Sequence, residues 1–495
     1  MRYVCPAHEL GRVAVLVRAK YLLAVLSGPV LFFVLRSLPP PSEMPQPAWV
    51  LLALLTWMVA WWLTEAVPLA ATALLPVIIM PLAGIAELGT VTSSYGHPLI
   101  FLFLGGFMLA MAIESVGLHR RIALTIVSVV GVKPRQLMLG FMLATAFLSM
   151  WITNTAATIM MYAVALSVID FVKEESAVHG TVPSRGFAVG LILAVAYSAS
   201  VGGMATLIGS PVNALLATVL SGEYGIEIEF VDWLVIGLPV TLVMLAAVWL
   251  LLSFVLYPPS AHGGANLSAA IESQVAQLPE MGRGEKTVAG VFLFAAIGWI
   301  LGDPIARATG LPITDTGVAC AAALLLFAIP INRDMTSFAL DWPTAAKLPW
   351  NVLILIGSGL AVAMGFRETG LADWIGAQVS TFEISAIAMI FMVTVLMVFL
   401  TEIMSNPASA ATIIPVVAAV AVGFGFSPLL LAVPAALAAN MSFMMPVATA
   451  PNAIVFSNPD LKILDMVRAG FLLNLIGIVI CSGVVALVFR PLMGW

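Results

Sequence analysis

Charge is what this sequence lacks most. Only 9% of its 495 residues are Asp, Glu, Lys or Arg, whereas 62% are hydrophobic. A soluble domain carries about 25% charged residues, so these few cannot cover the surface of a water-soluble protein of this length. The mean hydropathy of +1.10 is typical of a chain that crosses a membrane several times. The composition excludes a cytoplasmic enzyme, a nucleic-acid-binding protein and a secreted disulfide scaffold.

Cysteine and histidine are scarce as well. The three cysteines, Cys5, Cys320 and Cys481, have neither the spacing of a zinc site nor that of a redox pair. The five histidines form no H-E-x-x-H motif. An intramembrane hydrolase would need a Ser/His pair, an Asp/Asp pair or a zinc motif within its spans, and the sequence has none of them. The sequence therefore predicts that the protein is not an enzyme and has no catalytic residues.

Apolar runs divide the chain into membrane segments. No A-x-A-like cleavage site follows the first run, Tyr21–Val34, so it is interpreted as a spanning helix rather than a signal peptide. Ten further runs are predicted to cross: Trp49–Thr64, Pro68–Ile85, Pro98–Ile113, Phe187–Leu220, Trp233–Leu256, Val288–Leu301, Gly317–Ile331, Val352–Met364, Leu429–Phe456 and Phe471–Val488. Two other stretches, Gln136–Val172 and Ile384–Phe424, are too long for one crossing and polar in the middle. We expect an all-α polytopic membrane protein with about eleven transmembrane helices and two re-entrant hairpins.

The basic residues predict an orientation. With the N-terminus in the cytoplasm, sixteen of the twenty Lys and Arg residues fall on the inner side and four on the outer side. The positive-inside rule requires such a bias. The protein is therefore predicted to lie in the bacterial inner membrane, with a cytoplasmic N-terminus and an external C-terminus.

The same reading predicts four regions. Residues 1–47 are an N-terminal segment with the first transmembrane helix, and residues 259–286 are a cytoplasmic linker. Residues 48–258 form a first repeat and residues 287–495 a second. Each repeat has a hairpin (about 136–172 and about 384–424) and a broken helix (about 187–220 and about 429–456).

Three blocks of the first repeat recur in the same order in the second. The aligned pairs are Gly105–Leu118 with Ser358–Leu371, Ser149–Thr155 with Thr401–Pro407, and Gly209–Asn213 with Ala448–Asn452. The offset between the halves is 253 residues in the first block, 252 in the second and 239 in the third. The first repeat begins outside the membrane and the second begins inside, so the halves are inverted. Inverted repeats with interrupted helices indicate a secondary transporter whose site lies near the midplane.

Each hairpin carries a polar cluster near its middle. The clusters are Ser149, Thr153, Asn154 and Thr155 in the first hairpin, and Thr401, Ser405, Asn406 and Pro407 in the second. Apart from the proline, they offer the neutral oxygens that a hard cation such as sodium prefers. Gly209 and Ala448 lie at the predicted helix breaks, where carbonyl groups become free. Helix N-termini at the hairpin tips would present N–H groups to an anion.

Structural roles for these residues are the alternative. A lone Ser or Thr in a membrane helix is most often bonded to its own helix or packed against a neighbour. The asparagines favour a site, because they recur as matched pairs: Asn154 with Asn406, and Asn213 with Asn452. Glu402 could tune a cation site or carry a proton. Glu65 and Glu114 lie at helix ends, where a solvated or structural role is equally expected.

The motifs resemble those of a known family. Ser149-Met-Trp-Ile-Thr-Asn-Thr155 and Thr401-Glu-Ile-Met-Ser-Asn-Pro407 are similar to the paired Ser-Asn-Thr motifs of the divalent anion/sodium symporters. Gly209–Asn213 and Val447–Phe456 resemble the breaks in that family's discontinuous helices. The likeness covers nearly the whole chain from about Trp49. It implies a homodimeric, elevator-type transporter that takes up C4-dicarboxylates, citrate or sulfate together with Na+.

The resemblance also implies roles for individual residues. The implied sodium ligands are Ser149, Thr153, Asn154 and Gly209 in the first half, and Thr401, Met404, Asn406 and Ala448 in the second. The implied substrate contacts are Asn154, Thr155, Ser210, Ser405, Asn406, Pro407 and Thr449. No metal other than sodium is implied.

Three positions depart from the family pattern. Thr153 stands where a Ser is expected, Pro407 where a Thr is expected, and Ala450 where a Pro is expected. Pro407 has neither a hydroxyl nor an N–H, so one anion contact is missing from the second hairpin. Sulfate or citrate as substrate and exchange without sodium stand as alternatives to sodium-coupled dicarboxylate uptake within the family. An anion channel stands as an alternative of a different class.

Overall fold

A computed structural model describes residues 7–131, 133–178, 185–258, 274–379 and 382–490. These ranges contain helices and no strand beyond an isolated bridge between Pro330 and Phe338. The predicted all-α fold is therefore confirmed.

The first half of the described chain contains twelve α-helices. They are α1 Ala7–Ser37, α2 Gln46–Thr64, α3 Leu69–Thr72, α4 Leu75–Leu82, α5 Leu88–Ser93, α6 Pro98–Ser115, α7 Leu118–Val130, α8 Pro134–Ser149, α9 Asn154–Val178, α10 Arg185–Gly203, α11 Pro211–Tyr224 and α12 Phe230–Leu250. A π-helical turn, Leu251–Leu256, extends α12.

The second half of the described chain follows with ten. They are α13 Arg283–Thr309, α14 Asp315–Ala328, α15 Trp342–Ala345, α16 Trp350–Thr369, α17 Leu371–Val379, α18 Ala386–Leu400, α19 Asn406–Gly423, α20 Leu429–Ala439, α21 Ala450–Phe456 and α22 Ile463–Val484. A π-helical turn, Val485–Phe489, extends α22 just as one extends α12.

Both predicted hairpins and both predicted broken helices fall on pairs of helices. The hairpin regions contain α8 with α9 and α18 with α19, joined by tips at residues 150–153 and 401–405. The broken helices are α10 with α11 and α20 with α21, interrupted at residues 204–210 and 440–449. The polar clusters of the sequence therefore lie at the tips, and Gly209 and Ala448 lie in the interruptions.

Ten helical segments of the described residues are long and apolar enough to cross a membrane. They include α9 and α19, the second arms of the two hairpins, whereas α14, α20 and the α3–α4 segment are shorter. Length and composition alone do not separate a re-entrant arm from a crossing, so the count of eleven crossings stays a prediction.

The buried centre of the molecule is α10. Every residue from Phe187 to Gly203 is buried, and α8 packs closely along this helix. A side-chain carbon on Gly202 would lie 2.5 Å from the backbone of Ala146, so glycine is required for this approach. Across the halves, α9 packs against α21 and α11 packs against α19. These contacts between the two halves bring both tips and both interruptions into one region.

The end of the predicted linker is attached to the first half. Residues 259–273 of the linker lie outside the described residues, and α13 begins at Arg283. Arg121 on α7 forms an ion pair of 2.7 Å with Glu285 and donates to the carbonyl of Pro279 at 2.6 Å. These contacts fix the start of α13 beside α7.

Single cysteines at Glu227 and Lys347 should label from opposite sides of the membrane. Both residues are exposed, before α12 and before α16 respectively, and the basic-residue bias places Glu227 outside and Lys347 inside. In a background without Cys5 and Cys320, an impermeant maleimide should modify Glu227→Cys in intact cells and Lys347→Cys only after permeabilisation. Labelling of both from one side would contradict the inverted arrangement of the halves.

Candidate functional site

The first hairpin tip brings two predicted site residues together. Ser149 ends α8 and Asn154 begins α9. The Ser149 hydroxyl lies 2.7 Å from Asn154 Oδ1 and 2.7 Å from the carbonyl oxygen of Ala199 on α10. Because a hydroxyl donates one hydrogen bond at a time, Ser149 retains a partner if either acceptor is taken by a cation.

Two glycines allow further oxygens to approach this tip. A side-chain carbon on Gly203 would lie 2.3 Å from Asn154 Oδ1 and 3.0 Å from the carbonyl oxygen of Gly209. One on Gly209 would lie 2.8 Å from the carbonyl oxygen of Gly203 and 3.0 Å from that of Ser149. The space beside these glycines is therefore bordered by uncharged oxygens from the tip and the interruption, which suits a hard cation.

Side chains of the same half hold the backbone of the first interruption. Asn213 donates to the carbonyls of Gly203 at 3.0 Å and Thr206 at 2.8 Å. The Thr206 hydroxyl donates to the carbonyl of Met150 at the tip and accepts from the N–H of Gly209 at 3.1 Å. Backbone groups freed by a broken helix need such partners at membrane depth.

The second half repeats this arrangement. The Thr401 hydroxyl lies 2.8 Å from Asn406 Oδ1 and 3.0 Å from the carbonyl oxygen of Ala439 on α20. Asn452 donates to two carbonyls of the second interruption, and Asn213 correspondingly donates to the carbonyls of Gly203 and Thr206. Residues that align in the sequence therefore make the same bonds.

One hydroxyl distinguishes the two halves. Ser442 donates to Asn406 Oδ1 at 2.9 Å. Its carbonyl accepts from Asn452 as that of Gly203 accepts from Asn213, so a glycine occupies the corresponding place in the first half. The amide oxygen of Asn406 therefore accepts from two hydroxyls, whereas that of Asn154 accepts from one.

A chain of polar side chains connects the two interruptions. The Ser210 hydroxyl donates to Asn440 Oδ1 at 2.6 Å, and Asn440 Nδ2 lies 3.3 Å from Asn213 Oδ1. Asn440 directly follows Ala439, whose carbonyl faces Thr401. The oxygen groups of the two halves are thus joined through Asn440.

Glu402 orients the second interruption. This buried carboxylate accepts the N–H groups of three successive residues, Phe443–Met445, at 2.8 to 3.0 Å, and the amide of Asn474 at 2.8 Å. Successive N–H groups form a concave anion-binding nest, which here holds the protein's own carboxylate. The two roles predicted for Glu402, cation tuning and proton carriage, stay predictions.

The implied cation ligands and substrate contacts differ in depth. Six of the implied cation ligands are buried: Ser149, Gly209, Thr401, Met404, Asn406 and Ala448. The other two implied cation ligands, Thr153 and Asn154, are half-buried. Among the substrate contacts, Thr155 is exposed, and Ser405, Pro407 and Thr449 are half-buried. Two of the substrate contacts are buried: Asn406, and Ser210, which is 2% exposed and whose hydroxyl is bonded to Asn440.

Four helices begin at these residues. They are α9 at Asn154, α11 after Ser210, α19 at Asn406 and α21 after Thr449. Three of them have a proline in their first two positions, where its missing N–H has no helical partner to lose. First-turn N–H groups and helix dipoles favour an anion, and Pro407 removes one such N–H from α19.

Sequence reasoning missed several contacts of this site. The missed residues are Gly203, Thr206, Asn440, Ser442 and Asn474. They lie inside or beside apolar runs and outside the motifs, so their residue types alone give no signal. Gly203 precedes Asn213 by the same number of residues as Ser442 precedes Asn452. This spacing is a signal that could have identified Gly203 and Ser442.

Other features of the described chain do not form a competing site. A cavity of about 560 Å³ is lined by His97, Asp303 and Asp315 and contains none of the predicted site residues. Burial, followed by the nearby carboxylates of Asp303 and Asp315, raises the pKa of Glu229 at its rim. Within the described ranges, no group of three His, Cys, Asp or Glu residues could hold a metal ion.

Two hairpins and two interrupted helices that enclose uncharged oxygens define a secondary transporter. The family described as the sodium:sulfate symporter transmembrane region matches residues 18–495, and the chain belongs to this family. The sequence resemblance to the divalent anion/sodium symporters is therefore confirmed.

Two relatives agree with this assignment, and a solved structure shares the fold. The chain is 38% identical over 483 residues to the sodium-dependent dicarboxylate transporter SdcS of Staphylococcus saprophyticus, covering 96% of this chain and 92% of that protein. SdcS of Staphylococcus aureus is likewise 38% identical over 484 residues, with the same coverage. The YdaH transporter of Alcanivorax borkumensis shares the fold with a TM-score of 0.57 and 13% identity, over 82% of this chain and 88% of that one.

Proposed function

We propose that the protein is a sodium-coupled symporter of divalent organic anions, with C4-dicarboxylates such as succinate, malate and fumarate as its substrates. The observation that carries this proposal is the duplicated contact of a hydroxyl, an asparagine amide and a helix carbonyl at Ser149–Asn154 and Thr401–Asn406. The names of the relatives, which are sodium-dependent dicarboxylate transporters, support the same substrate class.

Sodium is the cation that this chemistry favours. The groups around both tips are hydroxyl, amide and carbonyl oxygens, which suit a hard monovalent cation that needs no charged ligand. Ser149 and Thr401 each have two acceptors, so each can turn its lone pairs toward a cation while one hydrogen bond remains. We assign one sodium site to each half on this basis.

The anion is assigned to the helix starts between the two cation sites. The exposed or half-buried side chains of Thr155, Ser405 and Thr449 stand at the first turns of α9, α19 and α21. N–H groups and positive helix ends there favour carboxylates without a buried Arg or Lys. Bound sodium ions would add positive charge on either side, so cation and anion binding should be coupled.

Alternating access by an elevator movement of a homodimer is the mechanism we propose. The two tips are unequally covered in this conformation. Trp151 at the first tip stacks on Trp299 of α13 with ring centroids 6.3 Å apart and meets Phe292 of the same helix edge to face at 4.8 Å. Ile403, the equivalent residue at the second tip, is 76% exposed. An alternating-access transporter opens its site to one side of the membrane at a time. Unequal cover of the two tips is therefore expected of a single state.

Uptake by the purified protein in proteoliposomes tests this function. Labelled succinate should accumulate with an inward sodium gradient and saturate with concentration, whereas an anion channel would give a non-saturating flux without sodium. Citrate and sulfate, offered separately, test the alternative substrates. Uptake that needs dicarboxylate inside the vesicles and ignores sodium would show an exchanger instead.

Thr155→Ala should weaken substrate binding more than a substitution at Pro407, the equivalent position of the second hairpin. Pro407 has no hydroxyl to lose. A hydrogen bond to a charged carboxylate is worth about 1.5–3 kcal/mol, so half-saturation for succinate should rise about 10- to 150-fold at saturating sodium. Pro407→Thr restores a hydroxyl and an N–H and should lower half-saturation. If Thr155→Ala leaves succinate affinity unchanged while Pro407→Thr abolishes transport, Pro407 acts on the backbone and the hydroxyl pairing is wrong.

A further inference from the structure

A buried acid without a partner lies at the end of α11 that is remote from the site. Glu223 is the last residue but one of this helix, which begins directly after Ser210. Its side chain is 9% exposed, and neither carboxylate oxygen has a hydrogen-bond partner within the described chain. The other two buried acids differ, because Glu285 pairs with Arg121 and Glu402 accepts four hydrogen bonds.

The guanidinium of Arg367 lies near Glu223 but contacts other groups. Arg367 on α16 donates to the carbonyl of Gly222, next to Glu223, at 3.1 Å. Its other terminal nitrogen lies 3.6 Å from the carboxylate of Glu368. The guanidinium is therefore adjacent to Glu223 without forming an ion pair with it.

The remaining neighbours provide no compensating positive charge. The Tyr224 hydroxyl is also buried and has no hydrogen bond of standard geometry in the described chain, although it lies close to the Glu223 carboxylate. Tyr224 and Asp373 of α17 line a cavity of about 320 Å³. Helices α19 and α20, which also pack against α11, contain no titratable residue. Glu227, on the loop after α11, accepts from Ser221 at 2.7 Å and is exposed.

Electrostatics decides the protonation state of such a group. An ionised carboxylate that is buried without hydrogen bonds is strongly disfavoured relative to its neutral acid. The nearby Asp373 carboxylate acts in the same direction, and Arg367 opposes it only from a distance. The protonated acid costs far less to bury and supplies a hydroxyl that a small side-chain rotation would bring to Tyr224.

We propose that Glu223 is a proton-binding site, occupied in this conformation and released when α11 moves against α16 and α17. Such a movement would expose the carboxylate to water or bring it to Arg367, and both favour the ionised form. Protons should therefore stabilise the present conformation at low pH, and this stabilisation should be lost as pH rises. The proposal rests on the alternating access proposed above only for the release step.

Infrared spectroscopy of the purified protein tests proton occupancy without transport. The C=O stretching band of a protonated carboxyl should be present at neutral pH in the wild type and absent from Glu223→Gln. The band should weaken only at a pH above the range in which an ordinary glutamate titrates. Glu227→Gln, which changes an exposed acid nearby, should keep the band.

If wild type and Glu223→Gln have the same spectrum at every pH, the proposal is wrong. Loss of the band on adding sodium at constant pH would make Glu223 a sodium ligand and overturn it as well.

The pH dependence of uptake tests the coupling. One proton linked to a conformational equilibrium changes the population by at most about tenfold per pH unit. Fumarate uptake by the wild type should show such a dependence, and the profile of Glu223→Gln should be flat where that of Glu227→Gln follows the wild type. If the pH profile of Glu223→Gln matched that of the wild type, the proton at Glu223 would not be coupled to transport. Absence of all uptake with the infrared band intact would instead contradict the proposed function and leave the proton site standing.

Discussion

Replacing Asn154 by alanine is expected to raise the sodium concentration for half-maximal uptake roughly 5- to 150-fold. Loss of one buried polar partner costs about 1–3 kcal/mol, and the change removes an amide oxygen from the proposed first cation site. The fold should be preserved, because the Ser149 hydroxyl keeps the carbonyl of Ala199 as an acceptor at 2.7 Å. Sodium titration of succinate uptake measures the effect directly.

Asn406→Ala should have the same effect on sodium and a larger effect on stability. Thr401 keeps the carbonyl of Ala439, but Ser442 loses the acceptor to which its hydroxyl donates at 2.9 Å. A hydroxyl left without its partner costs about 1 kcal/mol or more, so thermal unfolding in detergent should begin at a lower temperature than in Asn154→Ala.

A matched control shows whether the effect is specific to the tips. Asn332 fixes an exposed turn by accepting the N–H groups of Thr336 and Ser337 at 2.9 and 3.1 Å. Asn332→Ala should leave the sodium dependence of uptake unchanged. Unaltered sodium dependence in both tip variants, at normal expression, would show that Asn154 and Asn406 are structural residues.

Gly203→Ala is expected to be as damaging as the loss of Asn154 itself. In an ordinary helix this change would stabilise the protein by about 1 kcal/mol. Here the added carbon would lie 2.3 Å from Asn154 Oδ1 and 3.0 Å from the carbonyl oxygen of Gly209, so it displaces the oxygens of the proposed site. Displacing the Asn154 amide oxygen from the site should cost as much as removing it, about 1–3 kcal/mol, which corresponds to a fall in sodium affinity of roughly 5- to 150-fold.

Two comparisons isolate this effect. Gly290 on α13 has no atom within 4 Å of an added side-chain carbon, so Gly290→Ala should leave uptake and sodium affinity unchanged. The double variant Gly203→Ala/Asn154→Ala should bind sodium no more weakly than either single variant, since both act on one amide oxygen. Additive losses would mean that Gly203 acts on the structure independently of the cation site.

The sequence by itself determined that the chain lies in a membrane, where its helices run and where two of them are interrupted. Long apolar runs set the membrane segments because the bilayer admits only backbones that bond internally. Pro407 and Pro451 fall in first helical turns, where proline is tolerated. The match between Ser149–Asn154 and Thr401–Asn406 depends on spacing alone, and the same hydrogen bonds follow in both halves. These features are local, so they can be read from a single chain.

Only the tertiary structure decided what surrounds those motifs. Ser210 meets Asn440 across 230 residues of sequence, and Glu402 meets Asn474 across 72. Gly203 is required because Asn154 approaches it from another helix. Among the described residues Glu223 has no hydrogen-bond partner, while Arg367 donates to the carbonyl of Gly222. Each outcome depends on distances between elements that are remote in the chain. A residue's type and its neighbours in sequence carry no record of such distances, because the packing of whole helices sets them.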